Sequence, residues 1–193
     1  MRSPKGERSR ARLIAATGEL LQRQGYHATG LADIVSASEA PRGSLYFYFP
    51  GGKEELACVA LREAGEAWRA RIEAEIAGAP DLAAAVGAVC QLLARELEAS
   101  DFKLGCPLAT VALEAAADSD RVRRTCEEHF RGWEDSIAAR LIAAGAERTR
   151  AREMATFTLS ALEGALLLCK VKRDTSPLRD TGRMLAALVA MAS

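Results

Sequence analysis

The side chains best suited to recognising another molecule are concentrated in residues 42–48. This segment supplies a guanidinium group, two phenolic hydroxyls, a serine hydroxyl, a phenyl ring and a position without a side chain, in Arg42, Gly43, Ser44, Tyr46, Phe47 and Tyr48. Guanidinium and phenolic groups hold phosphates, whereas small, hydroxylic and apolar side chains contact base edges and thymine methyl groups in a major groove. Alternatively, the two tyrosines are half-buried aromatic residues of a helical bundle.

The surrounding pattern predicts the elements that would position these side chains. Helical periodicity over residues 5–24 and 31–38 is followed by a break at residues 39–41 and by a third helix over residues 42–49. Two short helices joined by a tight turn, behind a longer helix, form a helix-turn-helix motif.

Apolar residues of the two short helices indicate how this motif packs. Leu45 and Phe49 are four residues apart and therefore share one helix face. Leu31, Ile34 and Val35 are available to pack against that face. The segment rich in polar groups is thereby predicted to face outward.

Charge distribution agrees with this prediction, although net charge does not. The chain has 26 basic and 26 acidic residues and a net charge of zero. Within residues 1–50, however, arginine and lysine outnumber aspartate and glutamate, and four of the basic residues lie between Lys5 and Arg12. Such a surplus steers a polyanion toward a surface, but a charge run is more often only a solvated helix face.

The rest of the chain predicts further helices and no strands. Glycine, proline and capping residues divide it into segments at about residues 53–76, 81–100, 106–118, 119–145, 147–172 and 176–191. An all-α chain of about nine helices follows. The start of the sequence has no apolar signal-peptide core, and no apolar run reaches the ~18 residues of a membrane span. Five single cysteines without a Cys-x-x-Cys pair indicate neither a zinc site nor a disulfide framework, so we expect a cytoplasmic protein.

The spacing of the first three helices resembles the DNA-binding domain of the TetR family. The resemblance rests on the runs YHATGLADIV (residues 26–35), PRGSLYFYF (residues 41–49) and KEEL (residues 53–56). The run FPGGKEEL, with one residue more than most members have there, and the run GCPL at residues 105–108 are similar to the LmrA/YxaF subgroup. Lys53 begins the following helix and is a further predicted phosphate contact. Thr29, within the first of these runs, is also among the predicted DNA contacts.

Two positions depart from the family pattern. Glu39 stands in the turn where the family usually has glycine, so a left-handed backbone is expected there at a cost of ~1 kcal/mol. Ala32 stands where many relatives have a basic residue, which removes one possible DNA contact.

The resemblance implies two functional domains. Residues 1–52 would read operator DNA, and residues 53–193 would bind a small hydrophobic or aromatic effector and form a homodimer. We predict pocket residues from the aromatic residues of the second domain and from single polar residues in apolar stretches: Trp68, Phe102, Cys106, Glu114, Phe130, Trp133, Phe157 and Glu163. Each of these has a plainer interpretation, as core packing for the aromatic residues and cysteine and as a solvated helix face for the glutamates.

The last two helices are the predicted dimer interface. The segment at residues 147–172 is apolar around much of its circumference and must be covered on more than one side. Gly164 and Ala165 would allow a second copy to approach closely. The predicted contact residues are Leu162, Leu166, Leu185 and Leu188.

Two other classes of function remain open at this stage. One is a DNA-binding regulator whose second domain only dimerises and binds no effector. The other is a small helical enzyme, although the sequence has no nucleotide-binding glycine loop, His-Glu-x-x-His motif or Gly-x-Ser-x-Gly motif. No catalytic residues, cofactor or metal ligands are predicted.

Overall fold

The structure, a computed structural model, describes residues 4–191 and contains nine helices and no strand within them. The helices are α1 (Pro4–Gln24), α2 (Leu31–Ser38), α3 (Arg42–Tyr48), α4 (Gly52–Ala77), α5 (Leu82–Ala99), α6 (Pro107–Ala115), α7 (Asp120–Ala143), α8 (Arg148–Lys172) and α9 (Ser176–Ala190). The predicted all-α class is confirmed. The predicted boundaries differ from the observed ones by one or two residues in most helices.

Capping side chains explain several of these boundaries. The Asp81 carboxylate accepts a hydrogen bond from Ala84 N at 2.8 Å at the start of α5, and Ser119 Oγ accepts one from Val122 N at 3.1 Å at the start of α7. Glu147 accepts from the backbone N–H groups of Thr149 and Arg150, which lowers the pKa of its carboxyl below the usual value. These bonds satisfy N–H groups that have no partner inside a helix.

The chain forms two compact units, each made of two stretches of sequence. Unit 1 comprises residues 1–66 and 106–128, and unit 2 comprises residues 67–105 and 129–193. The predicted functional boundary between residues 52 and 53 does not coincide with the boundary between the two units, because the first half of α4 and all of α6 belong to unit 1. That division stays a prediction.

Unit 1 holds the helix-turn-helix motif. Helix α1 packs against α2, α3 and α6. Of the predicted inner face, Ile34, Leu45 and Phe49 are at most 1% exposed, whereas Leu31 and Val35 are half-buried. The backbone N–H of Gly30, the N-cap of α2, donates to the Asp33 carboxylate at 3.1 Å.

The turn between α2 and α3 contains the predicted left-handed residue. Glu39 has φ 51° and ψ 23°, a conformation that glycine adopts without steric cost. Its carboxylate lies 4.0 Å from an Arg12 guanidinium nitrogen, and both side chains are largely exposed. An ion pair this exposed contributes little to stability, so the strain at Glu39 is not offset by it.

Unit 2 is a bundle in which α5, α8 and α9 pack against one another. Part of its core is an apolar cluster around Leu141, Ala151, Met154 and Val189. Cys90 and Cys169 are buried in this unit, and burial raises the pKa of the Cys90 thiol to about 11. Neither position offers a reactive thiolate.

Helix α8 has one buried side and one exposed, mainly apolar side. Between residues 156 and 171 the exposed residues recur at helical spacing, in Thr156, Phe157, Ser160, Gly164, Leu167, Leu168 and Val171, whereas the exposed residues before and after this stretch are mainly charged. Among the described residues, α8 is long and apolar enough to cross a membrane by length and composition, because one 18-residue window in it has a mean hydropathy of 1.4. That window contains polar residues as well, so it is not an uninterrupted apolar run.

Replacing Glu39 by glycine is predicted to stabilise the chain. Glycine removes the Cβ that is strained at positive φ, so the free energy of unfolding should rise by about 0.5–1 kcal/mol. Chemical denaturation measures this change. The control is Glu39→Ala, which removes the same carboxylate but keeps a Cβ, and an equal gain in that variant would contradict the backbone explanation.

Candidate nucleic-acid interface and ligand cavity

Helix α3 presents the predicted contact residues on its outer side. Phe47 is 76% exposed and Tyr46 is 62% exposed, values that are unusual for aromatic side chains of a folded protein. Arg42 and Gly43 are also exposed, whereas Ser44 and Tyr48 are half-buried and Tyr48 meets the edge of Phe47 at 4.9 Å between ring centroids. All six predicted residues of this helix therefore lie together, on or beside one accessible surface.

Thr29 does not belong to that surface. Its side chain is fully buried, and its hydroxyl donates to the Gly25 carbonyl at 2.6 Å. This bond closes the turn between α1 and α2 and leaves the side chain no surface for a DNA contact, so the prediction of a direct contact is wrong for Thr29.

Lys53 lies at the start of α4 and is held by an aromatic ring. Its Nζ is 4.3 Å from the centroid of the Tyr26 ring. Partial burial lowers the pKa of the Lys53 ammonium, against a smaller opposite effect of Glu114, and burial also raises the pKa of the Tyr26 hydroxyl. Because the cation–π contact restrains this long side chain, a phosphate contact would cost it less conformational entropy.

Glu114 was predicted to lie in an effector pocket, but the structure places it in unit 1, where it forms hydrogen bonds to the turn between α1 and α2. Its carboxylate accepts from His27 N at 2.9 Å, and its backbone carbonyl lies 3.0 Å from His27 Nε2. Gly25, at φ 80°, leaves room for this carboxylate, because a Cβ there would collide with it. Helix α6 thus fixes the end of the helix on which α2 and α3 pack.

The beginning of α4 is fixed by the beginning of α7 in the same unit. Ser119 Oγ donates to the Glu54 carboxylate at 2.5 Å, and an Arg121 guanidinium nitrogen lies 4.0 Å from the Glu55 carboxylate. Glu55 also accepts from Gly51 N at 2.8 Å. These contacts hold the segment that directly follows α3.

Unit 2 contains a cavity with mainly aliphatic walls. It has about 940 Å³ of space between atoms, part of it open to solvent. Its lining comes from α4, α5, α7, α8 and α9: Arg69, Ile72, Glu73, Ile76, Leu82, Ala85, Val86, Val89, Trp133, Ser136, Ile137, Arg140, Leu141, Thr158, Leu159, Leu162 and Val189.

The polar groups of the cavity come mainly from α4 and α7. The Glu73 carboxylate accepts hydrogen bonds from Ser136 Oγ at 3.1 Å and from the Arg140 guanidinium. Among the described residues, Trp133 Nε1 is buried and has no hydrogen-bond acceptor. An unpaired buried donor costs about 1–3 kcal/mol, so this indole N–H lowers the stability of the cavity wall.

Of the eight predicted pocket residues, Trp133 lines this cavity. Phe130 does not line the cavity but packs edge-to-face with Trp133, with 5.7 Å between the ring centroids. Trp68 does not line it either, and the Arg71 guanidinium carbon lies 4.8 Å from the centroid of its ring. Glu163 is half-buried on α8.

The other predicted pocket residues do not line the cavity either. Phe102 lies in the loop after α5, and the Arg173 guanidinium carbon is 6.0 Å from the centroid of its ring. Cys106 belongs to unit 1, where its Sγ accepts a hydrogen bond from Ala109 N at the start of α6. Phe157 belongs to the exposed side of α8. Most of the residues that line the cavity are aliphatic, so a search for aromatic residues could not find them.

Two of the predicted dimer residues are part of the core. Leu166 and Leu185 are 8% and 2% exposed, and Leu162 lines the cavity. Leu188 is half-buried. The residues that face outward are their neighbours on α8, such as Leu167 and Leu168. A shift of one position along a helix turns a side chain by about 100°, which apolar composition alone does not resolve.

A seven-residue helix with an exposed polar and aromatic face, packed against α1 and joined to α2 by a tight turn, is typical of a helix-turn-helix DNA-binding protein. Residues 13–58 match the family described as bacterial regulatory proteins, tetR family, and residues 83–184 match the LmrA/YxaF-like C-terminal domain of transcriptional regulators. This chain therefore belongs to the TetR family of DNA-binding transcriptional regulators, within its LmrA/YxaF-like group. The resemblance seen in the sequence is confirmed.

Two relatives and two solved structures illustrate the similarity. The chain is 39% identical over 185 residues to an HTH-type transcriptional regulator of Mycobacterium tuberculosis strain H37Rv, covering 93% of both proteins. It is 34% identical over 170 residues to LmrA of Bacillus subtilis strain 168, covering 88% of this chain and 90% of LmrA. TetR-family regulators from Chloroflexus aurantiacus (TM-score 0.83, 26% identity, 97% of both chains) and Cytophaga hutchinsonii (TM-score 0.85, 22% identity, 100% of this chain and 98% of the other) share the fold.

Gly43→Ala is predicted to weaken DNA binding without weakening the fold. A Cβ at Gly43 would have no neighbour within 4 Å, and alanine favours a helix over glycine by ~1 kcal/mol, so stability should be kept or rise. A methyl group added at a close contact with a groove costs about 1–3 kcal/mol, or roughly five- to 150-fold in affinity. Fluorescence anisotropy with a labelled DNA duplex that the unmodified chain binds measures this loss of affinity.

The matched control is Gly132→Ala, because Gly132 is an exposed helical glycine on α7 and its Cβ would also meet no atom within 4 Å. That variant should bind DNA like the unmodified chain. Unchanged affinity in Gly43→Ala would show that the space at residue 43 is not used by DNA.

Proposed function

We propose that the chain is a repressor that binds a palindromic operator as a homodimer and leaves it when a small hydrophobic molecule binds. The observation that carries this proposal is the α3 surface, because Tyr46 and Phe47 are mostly exposed beside Arg42 and do not belong to the buried core of unit 1. Phosphate contacts would come from Arg42, the tyrosines and Lys53, and base contacts from Gly43, Ser44 and Phe47. Such a protein acts where the chromosome is, in the cytoplasm.

The direct test is selection from a pool of random DNA duplexes. We expect a single enriched sequence with two inverted half-sites whose centres lie about one helical turn, or ~34 Å, apart. Ser44→Ala should change the preferred base at one position of each half-site while affinity for unrelated DNA stays the same. A pool that shows no enrichment would contradict operator recognition.

The exposed side of α8 supports the proposed homodimer. Its apolar residues, together with Met184 and Met191 at α9, form a surface on two helices that pack against each other. Gly164 leaves space for close approach, since a Cβ there would meet no atom within 4 Å. A symmetric contact between two such helix pairs would cover the apolar side of α8 and supply two reading heads.

A membrane would be an alternative cover for α8, but the burial pattern favours a protein partner. The opposite side of α8 is packed into unit 2 through residues such as Met154, Ala165 and Cys169. A helix inserted in lipid would have to leave that packing. A second copy of the chain covers the exposed side while the packing is retained.

Leu167→Glu is predicted to produce monomers. Leu167 is 59% exposed, so the charge should not disturb the fold of one chain, but in the dimer it would be buried without a partner. Sedimentation or light scattering at micromolar concentration should show a monomer whose operator affinity falls at least tenfold. The control is Leu113→Glu, because Leu113 is 85% exposed on α6 and is not part of the proposed interface. Dimers in Leu167→Glu, or monomers in both variants, would contradict this interface.

The cavity supports the proposed response to a ligand. Two of the helices that line it, α4 and α7, also contribute their N-terminal parts to unit 1, where Ser119 and Arg121 contact the start of α4. A ligand that favours one setting of these helices would alter the spacing of the two reading heads. A coupling free energy of only ~1–3 kcal/mol lowers operator affinity by a factor of about 5 to 150.

Filling the cavity is predicted to abolish the response. Val86→Phe adds a ring to the cavity wall, so hydrophobic compounds that release operator from the unmodified chain should no longer do so. Operator affinity without ligand should stay the same, which also shows that the variant is folded. Titration of a panel of planar aromatic and aliphatic compounds against the protein–operator complex measures both quantities. Compounds that bind the cavity tightly without changing operator affinity would favour the regulator without an effector response.

A further inference from the structure

We propose that the cavity of unit 2 binds an uncharged molecule with an aliphatic or alicyclic body and one acceptor oxygen, such as a carbonyl, which accepts a hydrogen bond from the Trp133 indole N–H. This inference rests on the proposed function in assuming that the cavity binds a small molecule. It adds the chemistry of that molecule, which the class of protein does not specify.

The acceptor oxygen follows from the state of Trp133. This residue lines the cavity, and its buried Nε1 donates to no atom in the described part of the chain. An indole N–H can only donate, and tryptophan usually has a hydrogen-bond partner when it is buried. Phe130 packs edge-to-face with the indole, at 5.7 Å between the ring centroids, and so restricts its movement. A ligand completes this wall by bringing an acceptor to a donor that is already held in place.

The absence of charge on the ligand follows from the ion pair in the lining. The Glu73 carboxylate accepts from Ser136 and from the Arg140 guanidinium, so these two charges balance each other. An anionic ligand would have to replace Glu73 at Arg140, and a cationic ligand would have to replace Arg140 at Glu73. Arg69, the other charged residue of the lining, is exposed, so water and salt screen its charge. An uncharged ligand leaves the existing ion pair intact.

The body of the ligand follows from the walls. Helices α5 and α9 contribute aliphatic residues to the lining: Leu82, Ala85, Val86, Val89 and Val189. Helix α8 adds Leu159, Leu162 and Thr158, and Trp133 is the one aromatic residue among those that line the cavity. Burial against aliphatic walls stabilises a bound molecule in proportion to its apolar surface. A saturated ring or an alkyl chain fits this lining, with the hydrogen bond to Trp133 fixing its orientation.

The test compares four probes that share a cyclohexyl ring and the same number of non-hydrogen atoms. Cyclohexyl methyl ketone has the acceptor oxygen, and isopropylcyclohexane has a methyl group in its place. Cyclohexanecarboxylate and 1-cyclohexylethylammonium carry a negative and a positive charge. The ketone should bind the unmodified full-length chain, and both charged probes should bind at least tenfold more weakly than the ketone, because burial removes water from their charges. Headspace gas chromatography measures the free concentration of the uncharged probes, and equilibrium dialysis measures that of the charged ones.

A variant without the indole N–H tests the hydrogen bond itself. Trp133→Phe keeps an aromatic ring, and its smaller volume affects both uncharged probes alike. The ratio of ketone to isopropylcyclohexane affinity should therefore fall roughly fivefold, the factor for one net hydrogen bond. The matched control is Trp68→Phe, the same substitution at the other tryptophan of the chain, which does not line the cavity and should keep the ratio. Thermal unfolding shows that both variants are folded.

A spectroscopic measurement tests the same bond without changing Trp133. In Trp68→Phe, Trp133 is the only tryptophan, so the remaining indole signal in a proton–nitrogen correlation spectrum belongs to it. The ketone should move its proton resonance to lower field than isopropylcyclohexane does, because a proton that is donated to an oxygen is deshielded. The same resonance position with both bound probes would contradict the hydrogen bond.

Each remaining outcome also bears on the proposal. It is overturned if the ketone does not bind, if a charged probe binds as tightly as the ketone, or if the affinity ratio is kept in Trp133→Phe or lost equally in Trp68→Phe. Operator release is measured separately by fluorescence anisotropy. Ketone binding that depends on Trp133 but releases no operator would reject the sensor function and leave the ligand chemistry standing. Release by the ketone that is equally strong in Trp133→Phe would do the reverse.

Discussion

The burial of Leu45 and Phe49 is the interaction on which the DNA-reading surface depends. Helix α3 has seven residues, and a helix so short is not stable in water by itself. Its backbone is held because these two side chains are buried, as is Ile34 of α2. Every outward-facing residue of α3 takes its direction from that buried face. Exposure of Tyr46 and Phe47 is thus a consequence of what lies behind them.

Support for this surface comes from contacts distant in the sequence. Glu114 on α6 is 87 residues away from His27, yet it accepts the His27 backbone N–H and fits above Gly25. Ser119, 65 residues from Glu54, fixes the segment that follows α3. Residues of the second half of the chain therefore contribute to the unit that reads DNA. A division of the protein by function at residue 52 and a division by packing need not coincide.

The cavity in unit 2 combines aliphatic walls with a buried hydrogen-bond donor. The indole N–H of Trp133 has no acceptor among the described residues, and an unpaired buried donor costs about 1–3 kcal/mol. The same lining includes the Glu73 carboxylate, which accepts from Ser136 and Arg140. The similarity to relatives of the LmrA/YxaF-like group establishes the class of protein, and the proposed response to a ligand depends on this cavity.

The sequence by itself determined the helices and the helix-turn-helix spacing. These features depend on local properties, namely capping groups, glycine and proline positions, and apolar residues repeating at helical spacing. The left-handed turn at Glu39 was expected only from the family resemblance, because glutamate itself does not favour that conformation. Tertiary structure decided where individual side chains point: Thr29 is buried, Glu114 fastens a turn, and Leu166 and Leu185 belong to the core. It also formed the cavity, whose lining comes from five helices. No local pattern encodes such placements, because they depend on the rotation of each helix against its neighbours, and a change of one residue in register moves a side chain from the surface to the core.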